Sequence, residues 1–529
     1  MTKISGTIAF LMVLGLSGAQ AQAQTPAPQS ESAARCAALG ASDFSRLLDA
    51  PTQVTAAKLI EAASGGAPAY CQVQGYVAPA VGFELRLPAA EWNGKFYMAG
   101  CGGFCGAALA TACNHPLRRG YACVATDMGH KSTGLDAKWA YNNTQAEIDF
   151  GYRSTHVTAV AGKAITEQFY AKAPSRSYFM GCSTGGRQGL VEAQKFPWDF
   201  DGIVAGAPVI NETGAGMQLI WSTVVNRDKN GKQILGVDKL KLVNGAVVAK
   251  CDLQDNVRDG IIGDPRACGF DPAELQCKRG EAADCLTAAQ VDVVRKIYAG
   301  PKNSKGEALY TGGAQPGSEM NWADNYISKT GGNAVYENFI GDLWRYLGFM
   351  PDPGPAWQPT DFDFDRDYKR LGMMETIYSG SNPDLRAFKA RGGKMISYQG
   401  WADQSVVPLN VIDYYELAER TMGGQAAIQD FYRLFMVPGM NHCRGGVGAD
   451  AIDYLSYLET WVEKGEAPDM MLAARVKPEV AMDFQSGYRF PLTADEIAFT
   501  RPAYPYPLQY RFKGTGDADD ASNHEAVSP

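Results

Sequence analysis

Gly181-Cys182-Ser183-Thr184-Gly185 is the stretch that decides the fold, because it matches the pattern G-x-S-x-G. In that pattern a serine occupies a strained turn between a strand and a helix, with its hydroxyl exposed. The flanking residues agree, since 177–180 is typical of a buried strand and 185–195 of a helix. The stretch therefore predicts a serine nucleophile at the end of a strand.

Strand-like apolar runs alternate with helical patterns on both sides of this turn. Further strands are predicted at 94–98, 121–125, 202–205, 393–398 and 431–437, and a long helix at 150–171. Alternation of this kind is typical of a mostly parallel sheet with helices on both faces. The predicted fold class is α/β, an α/β-hydrolase fold with a large inserted lid domain.

The domain organisation follows from where this alternation stops and returns. A chain of 529 residues is longer than one core usually holds. The pattern stops after Pro208 and resumes near residue 393. We predict a signal peptide at 1–23, a first core part at 24–208, a lid at 209–385 and a second core part at 386–529. An insertion at this point covers the active site in such enzymes.

The N-terminus and the cysteines both indicate export. Lys3 precedes an apolar run at 8–16, and A-x-A cleavage sites follow at 19–21 and 21–23. The alternative is a short buried helix. No later segment is long and apolar enough to cross a membrane, and twelve cysteines suit an oxidising compartment. We expect a secreted or periplasmic protein outside the membrane.

Net charge argues against one class of partner. A charge of −8 and a pI near 5.4, without a basic patch, do not favour binding to nucleic acid. Nothing in the sequence indicates an oligomeric state. The expected partner is a small molecule.

The base and the acid that a serine nucleophile needs can be chosen by chain order. A serine hydroxyl reacts only when a base takes its proton, and His442 lies in a loop after a predicted strand. The order in this fold is serine, acid, histidine, and Asp403 after the 393–398 strand satisfies it. Alone, Asp403 could cap a helical turn and His442 could be an ordinary loop residue. Together they predict the triad Ser183, Asp403 and His442.

Two backbone N–H groups are expected to hold the oxyanion. One belongs to Thr184, the residue after the nucleophile. The other should come from the glycine-rich stretch 100–104, where we favour Gly103 over Gly102. The alternative for these glycines is a tight turn without a catalytic role.

The motifs at 181–188, 400–403 and 442–443 resemble the Cys-Ser, Asp, His-Cys pattern of the tannase and feruloyl esterase family. That family also includes mono(2-hydroxyethyl) terephthalate hydrolases. The resemblance runs from about Cys36 to the C-terminus. It implies the same triad, and a disulfide between Cys182 and Cys443, the neighbours of the serine and the histidine.

The resemblance also implies a structural calcium ion in the lid. Short spacing of three carboxylates suits a hard cation, with backbone carbonyls completing the shell, and the alternative is a solvated acidic turn. The implied ligands and the further suggested disulfides are Asp252, Asp255, Val257, Asp259 and Ile261, with Cys251–Cys268, Cys277–Cys285 and Cys36–Cys71. Cys101, Cys105, Cys113 and Cys123 are expected to form two more bridges in an open pairing. No organic cofactor is implied.

The expected activity is hydrolysis of carboxylic esters of aromatic, phenolic acids through an acyl-enzyme. The alternatives are a mono(2-hydroxyethyl) terephthalate hydrolase and, from another class, a non-catalytic binding protein on a hydrolase scaffold stabilised by calcium. Thr184 is similar to the feruloyl esterase and tannase branch, since the terephthalate branch typically has glutamate there. Candidate substrate-lining residues, which could equally form the core of the lid, are Trp344, Arg345, Tyr346, Phe349 and Trp401.

Overall fold

A nine-stranded sheet forms the centre of the protein. The computed structural model describes residues 1–2, 28–63, 66–480, 482 and 487–529, so most of the predicted signal peptide at 1–23 lies outside the described residues. The sheet order is β1-β2-β3-β5-β4-β6-β7-β8-β9. Its strands are β1 Thr52–Ile60, β2 Tyr70–Val77, β3 Val81–Pro88, β4 Lys95–Ala99, β5 Ala122–Thr126, β6 Arg176–Cys182, β7 Gly202–Gly206, β8 Lys394–Gly400 and β9 Tyr432–Val437.

The six strands from β5 across to β9 in this order are parallel. Their short apolar runs are almost completely buried, as expected for strands covered on both faces. Cys182 of β6 pairs with Gly206 of β7, which pairs with Tyr398 of β8. The turns that follow β6 and β8 therefore leave the same edge of the sheet, and the α/β prediction is confirmed.

Helices cover both faces of the sheet. One hydrophobic cluster includes Ile165 and Leu190 from two helices on one side, and another includes Trp461 on the other. The helices are α1 Pro28–Leu39, α2 Asn114–Arg118, α3 Thr144–Ile148, α4 Ser154–Tyr170, α5 Thr184–Lys195, α6 Glu212–Val224, α7 Leu240–Cys251, α8 Ala288–Ala299, α9 Val335–Tyr346, α10 Gly372–Tyr378, α11 Arg386–Ala390, α12 Pro408–Met422, α13 Gln425–Gln429 and α14 Tyr454–Lys464.

The segment 209–385, called the insertion below, contributes α6 to α10 and has its own hydrophobic cluster. Trp322 and Trp344 lie at its centre and are fully buried. Phe104 and Phe150, from loops of the sheet region, belong to the same cluster. The insertion therefore packs onto the loops at the edge of the sheet where the serine turn lies.

The antiparallel part of the fold was not predicted from the sequence. Strands β1, β2 and β3 pair antiparallel at one end of the sheet. Near the C-terminus β10 (Met471–Val476) pairs with β11 (Ile497–Ala503), and β12 (Gln509–Phe512) with β13 (His524–Val527). Within the described ranges, no helix is long and apolar enough to cross a membrane.

Candidate active site

Ser183 occupies a sharp turn between β6 and α5. Its φ is +64°, a left-handed conformation that costs free energy for a residue with a side chain. Its N–H donates to the Gly206 carbonyl at 3.0 Å. A Cβ on Gly181 would lie 2.7 Å from the Gly185 backbone. The two glycines of the motif are therefore required by close packing within the turn.

Asp403 and His442 form a hydrogen-bonded pair at the same edge of the sheet. His442 Nδ1 lies 2.8 Å from Asp403 Oδ2, which also accepts from Gln399 Nε2 at 2.9 Å. Asp403 Oδ1 accepts the N–H groups of Ser405 and Val406 at 2.7 and 2.9 Å. The carboxylate is completely buried, whereas the imidazole is 20% exposed. Because both carboxylate oxygens accept only, the imidazole donates from Nδ1, and in the neutral ring Nε2 then carries the lone pair.

A disulfide joins the serine turn to the histidine loop. Cys182 and Cys443 are bridged, with a Cα–Cα distance of 5.9 Å. The bridge connects the residue before Ser183 to the residue after His442. These two cysteines are 261 positions apart in the sequence. It therefore limits how far the two loops can separate.

Five further disulfides lie elsewhere in the described residues. Three are pairs suggested from the sequence, and the other two give the pairing of the four cysteines that had been left open. They are Cys36–Cys71, Cys251–Cys268 and Cys277–Cys285, and then Cys101–Cys105 and Cys113–Cys123.

The glycine-rich loop after β4 lies against the start of α5. Thr184 Oγ1 donates to the Gly103 carbonyl at 2.7 Å, and Gly103 has a φ of +58°. Thr184 begins α5, so its N–H has no acceptor within the helix. Gln188 Oε1 accepts the Cys101 N–H at 3.0 Å. Thr184 and Gly103, the two predicted oxyanion residues, are thus in contact, and Gln188 is hydrogen-bonded to the loop that carries Gly103.

His130 supports the same loop from behind. Its Nε2 lies 2.7 Å from the Phe104 carbonyl, and its ring stacks on Trp139. Burial lowers the pKa of His130 to about 4. The imidazole is therefore neutral at pH 7 and donates one hydrogen bond to the loop.

Two aromatic side chains of α9 reach the loops around the site. The Phe339 ring stacks on Phe104 with a centroid distance of 4.4 Å, and a Cβ on Gly103 would lie 3.8 Å from the Phe339 ring. The Tyr336 hydroxyl is hydrogen-bonded to Ser405 Oγ, and burial raises the pKa of Tyr336 to about 12. One helix of the insertion therefore contacts both the glycine-rich loop at 100–104 and the loop at 401–406, called the oxyanion loop and the acid loop below after their predicted roles.

Three predicted substrate-lining residues, two in α9 and one just after it, lie in the core of the insertion instead. Trp344, Tyr346 and Phe349 are 0%, 4% and 2% exposed. Trp344 contacts Phe349 and Phe362 with ring centroids 5.4 and 4.7 Å apart. All three side chains belong to the hydrophobic cluster of the insertion. In this structure they therefore have the core role that was the alternative prediction.

The side chains of Arg345 and Trp401 contact other parts of the structure. The Arg345 guanidinium is bonded to Asp342 Oδ1 at 3.0 Å and to the Trp357 carbonyl at 2.8 Å. Trp401 is 4% exposed and lies under the Arg266 guanidinium, 5.2 Å from the ring centroid. It lines a cavity of about 50 Å³ beside the C-terminal segment.

Some carboxylate oxygens of the acidic turn after α7 already have hydrogen-bond or ion-pair partners within the protein. Asp252 Oδ1 accepts the Gly260 N–H at 2.8 Å, and Asp259 Oδ2 is paired with Arg501 at 2.7 Å. Asp255 Oδ2 is buried without a hydrogen-bond partner. Burial raises the pKa of Asp255 to about 6. One buried carboxylate oxygen of this turn is therefore left without a hydrogen-bond donor in the protein.

The remaining predicted calcium ligands can supply only backbone oxygens. Val257 and Ile261 are 8% and 1% exposed and follow the carboxylates in the same turn. In the part of the chain that the structure describes, no three His, Cys, Asp or Glu side chains are grouped to hold a metal ion. The donors suit calcium chemically, but an ion here would depend on the two carbonyls as much as on the carboxylates.

Several residues that shape the site were missed from the sequence. Gln188 had a signal, because it lies four residues after Thr184 and so on the same helix face. No signal in the sequence indicated Tyr336 and Phe339, because they belong to the insertion, where no strand-helix pattern predicts which loops it contacts.

The chain resembles known proteins over most of its length. The family model described as tannase and feruloyl esterase matches residues 66–527. A mono(2-hydroxyethyl) terephthalate hydrolase of Piscinibacter sakaiensis is 35% identical, covering 88% of this chain and 86% of that protein. A probable feruloyl esterase of Arthroderma benhamiae is also 35% identical, covering 84% and 81%. The crystal structure of feruloyl esterase B from Aspergillus oryzae has a TM-score of 0.80 at 27% identity, covering 94% and 100%.

The family model, the relatives and the solved structure all match the sheet region, the insertion and the C-terminal part of this chain. The extent of the family match exceeds any single motif, since the matched range begins before β2 and ends in β13. The chain therefore belongs to the tannase and feruloyl esterase family and is a carboxylic ester hydrolase.

Proposed function

We propose that the protein is an exported serine esterase that hydrolyses esters of aromatic, phenolic acids through the triad Ser183, His442 and Asp403. The observation that carries the proposal is the hydrogen bond of 2.8 Å between Asp403 and His442. The loop that carries His442 is joined to the serine turn by the Cys182–Cys443 disulfide. Six disulfides in the described residues support folding in an oxidising compartment.

In the proposed reaction His442 Nε2 takes the proton of the Ser183 hydroxyl as it attacks the ester carbonyl. Asp403 holds the imidazole by Nδ1 and stabilises its charged form. The N–H groups of Thr184 and Gly103 receive the negative oxygen of the tetrahedral intermediate. His442 then gives the proton to the leaving alcohol. Water, activated by the same imidazole, releases the acid from Ser183.

An aromatic acyl group is favoured by the surface next to the oxyanion loop. Phe339 is half-buried and lies beside Gly103, so a carbonyl held by the Gly103 N–H would bring its substituent close to that ring. Flat aromatic groups gain free energy by stacking. Hydroxycinnamate and galloyl esters fit this surface. A terephthalate monoester would also need a partner for its free carboxylate, and Arg345 is already paired with Asp342.

The substrate class is tested by comparing kcat/KM for methyl ferulate, methyl gallate and mono(2-hydroxyethyl) terephthalate. We expect one of the two phenolic esters to give the highest value. A higher kcat/KM for the terephthalate monoester would support the alternative, which the 35% identical relative of that name favours. Hydrolysis of none of them, with p-nitrophenyl acetate cleaved, would reject the aromatic class.

Phe339→Leu should lower kcat/KM for methyl ferulate ~5-fold, because it removes a stacking surface worth about 1 kcal/mol. Hydrolysis of p-nitrophenyl acetate should change less than about two-fold, since an acetyl group has no ring to stack. Phe364→Leu is the matched control, because Phe364 is half-buried in the same insertion but packs on Trp221. Equal losses for both esters would contradict an aromatic subsite at Phe339.

Removing the Cys182–Cys443 bridge should impair turnover more than removing Cys277–Cys285. The first pair joins the serine turn to the histidine loop, whereas the second closes a short loop of the insertion with a sequence separation of 8. The double serine variants should be compared by kcat and by thermal unfolding. Equal losses of kcat would make Cys182–Cys443 an ordinary structural bridge.

A calcium ion in the acidic turn is part of the same proposal. Asp252, Asp255 and Asp259 would hold it with the carbonyls of Val257 and Ile261, and it would neutralise their charge and stiffen the turn. The buried, unpartnered Asp255 Oδ2 supports this assignment.

Calcium should raise the unfolding temperature, because an ion that binds only the folded state stabilises it by about 2.7 kcal/mol at 100 times its Kd. Unfolding should be followed with added CaCl₂ and with EGTA. Asp255→Asn should remove the difference, and Asp284→Asn, an exposed carboxylate of the insertion, should retain it. The same unfolding temperature of the wild-type protein in CaCl₂ and EGTA would reject the site.

A further inference from the structure

Asn321 of the insertion bridges the acid loop and the loop at 438–443 that carries His442, called the base loop below. Its Nδ2 donates to the Ala402 carbonyl at 3.2 Å and to Asn441 Oδ1 at 2.6 Å. Ala402 immediately precedes Asp403, and Asn441 immediately precedes His442. Because a backbone carbonyl can only accept, the amide nitrogen must face Ala402, and Asn441 must present its oxygen. One side chain therefore connects the neighbours of both residues of the pair.

The turn that carries Asn321 is anchored in the core of the insertion. It is a 3₁₀ turn at Glu319–Trp322, and Trp322 is fully buried. Glu319 is also fully buried and accepts from Tyr298 at 2.6 Å, Asn244 at 2.8 Å and the Gly317 N–H at 2.8 Å. Asn321 therefore projects from a turn whose neighbouring residues are buried and hydrogen-bonded in the core of the insertion.

Two tyrosines of the insertion contact the same acid loop beyond Asp403. The Tyr326 hydroxyl donates to the Gln404 carbonyl, and the Tyr336 hydroxyl is bonded to Ser405 Oγ. The Ser405 N–H in turn donates to Asp403 Oδ1 at 2.7 Å. The insertion thus contacts the residues on both sides of the acid.

The sheet region supplies further connections between the two loops. The Ala402 N–H donates to the Met440 carbonyl at 3.0 Å, and Asp403 bonds His442 directly. The Cys182–Cys443 bridge holds the histidine loop to the serine side. Asn321, which belongs to the insertion, connects the histidine loop to the loop that carries Asp403.

We propose that Asn321 is a positioning residue for the Asp403–His442 pair, so that the insertion helps to build the catalytic geometry in addition to covering it. This rests on the proposed triad. Asn321 acts through hydrogen bonds to the two loops and does not touch the substrate. Its loss would let the acid and base loops shift relative to each other, and small displacements of catalytic groups cost large factors in rate.

The test compares Asn321→Ala and Asn321→Asp with the wild-type protein. The aspartate keeps the size of the side chain but presents only acceptors to the Ala402 carbonyl, so it should be no better than alanine. We expect kcat to fall ~10- to 100-fold for both variants. KM should change less than about two-fold, because the substrate contacts are unchanged.

Asn226→Ala is the matched control. Asn226 is a buried asparagine of the same insertion, and its amide makes two hydrogen bonds to the backbone of Leu235, at 2.7 and 3.1 Å. It should lower the unfolding temperature at least as much as Asn321→Ala while kcat stays near the wild-type value. A purely structural role for Asn321 would give equal kcat losses at equal losses of stability.

The rate of labelling by a fluorophosphonate separates this inference from the proposed function. The wild-type protein should be labelled at Ser183 quickly and Asn321→Ala slowly. If the variant is labelled and turns over as fast as the wild type, the inference on Asn321 is wrong and the triad stands. If the wild-type protein is not labelled at Ser183, the proposed triad fails, and the inference with it.

Discussion

Ser183→Ala is expected to reduce ester hydrolysis by ~10⁴- to 10⁶-fold, because it removes the nucleophile and leaves only binding and the oxyanion donors. The measurement is kcat for the preferred phenolic ester, with protein purified free of contaminating esterases. The loss should appear in kcat, since the acyl acceptor is gone while the substrate surface remains.

The control for folding uses the strained backbone of the turn. Alanine keeps the penalty of the +64° φ at position 183, whereas glycine accepts that conformation freely. Ser183→Gly should therefore be at least as stable as Ser183→Ala, by up to about 1 kcal/mol, and equally inactive. Hydrolysis near the wild-type rate in either variant would end the assignment of Ser183.

Asp403→Asn is expected to lower kcat about 10⁴-fold, because it imposes the wrong tautomer on His442. The N–H groups of Ser405 and Val406 donate to Oδ1, so an asparagine must place its oxygen there. Its NH₂ group then faces His442 Nδ1, which can no longer donate. The imidazole proton moves to Nε2, where it points at Ser183 and prevents the ring from accepting the serine proton.

Asp199→Asn is the matched control for this variant. Asp199 is also buried and lies 2.5 Å from a histidine nitrogen, His156 Nδ1, but it follows α5 at the opposite end from the serine turn. It should destabilise the fold and leave kcat within a few-fold of wild type. A comparable loss of kcat in both variants would mean that the Asp403 effect reports stability and not catalysis.

Chain order and strand pattern were enough to select the three residues of the proposed triad. The apolar runs at β4 to β9 identified a parallel sheet, and parallel strands deliver the turns after β6 and β8 to the same edge. Ser183, Asp403 and His442 could therefore be chosen from residues that each follow a strand. Strands β1 and β2 escaped prediction because they are antiparallel and half-exposed. Strand β3 is mostly buried, but its apolar residues alternate with Gly82, Glu84 and Arg86, so it too lacks the continuous apolar run of the parallel strands.

The contacts of the insertion could not be predicted from the sequence in the same way. Helix α9 carries aromatic residues on more than one face, and only docking decides that Trp344 points into the core while Phe339 reaches the oxyanion loop. The same limit applies to Asn321, whose partners Ala402 and Asn441 are 81 and 120 residues away. Long-range contacts of this kind leave no local pattern in the sequence.

The most direct measurement of the central claim is covalent labelling of the wild-type protein and Ser183→Ala with a fluorophosphonate, followed by intact-mass analysis and peptide mapping. The proposed mechanism predicts one adduct per chain, located on Ser183, loss of ester hydrolysis in proportion to labelling, and no adduct in the variant. Full esterase activity in a protein that carries no adduct on Ser183, or an inactivating adduct on another residue, would contradict it.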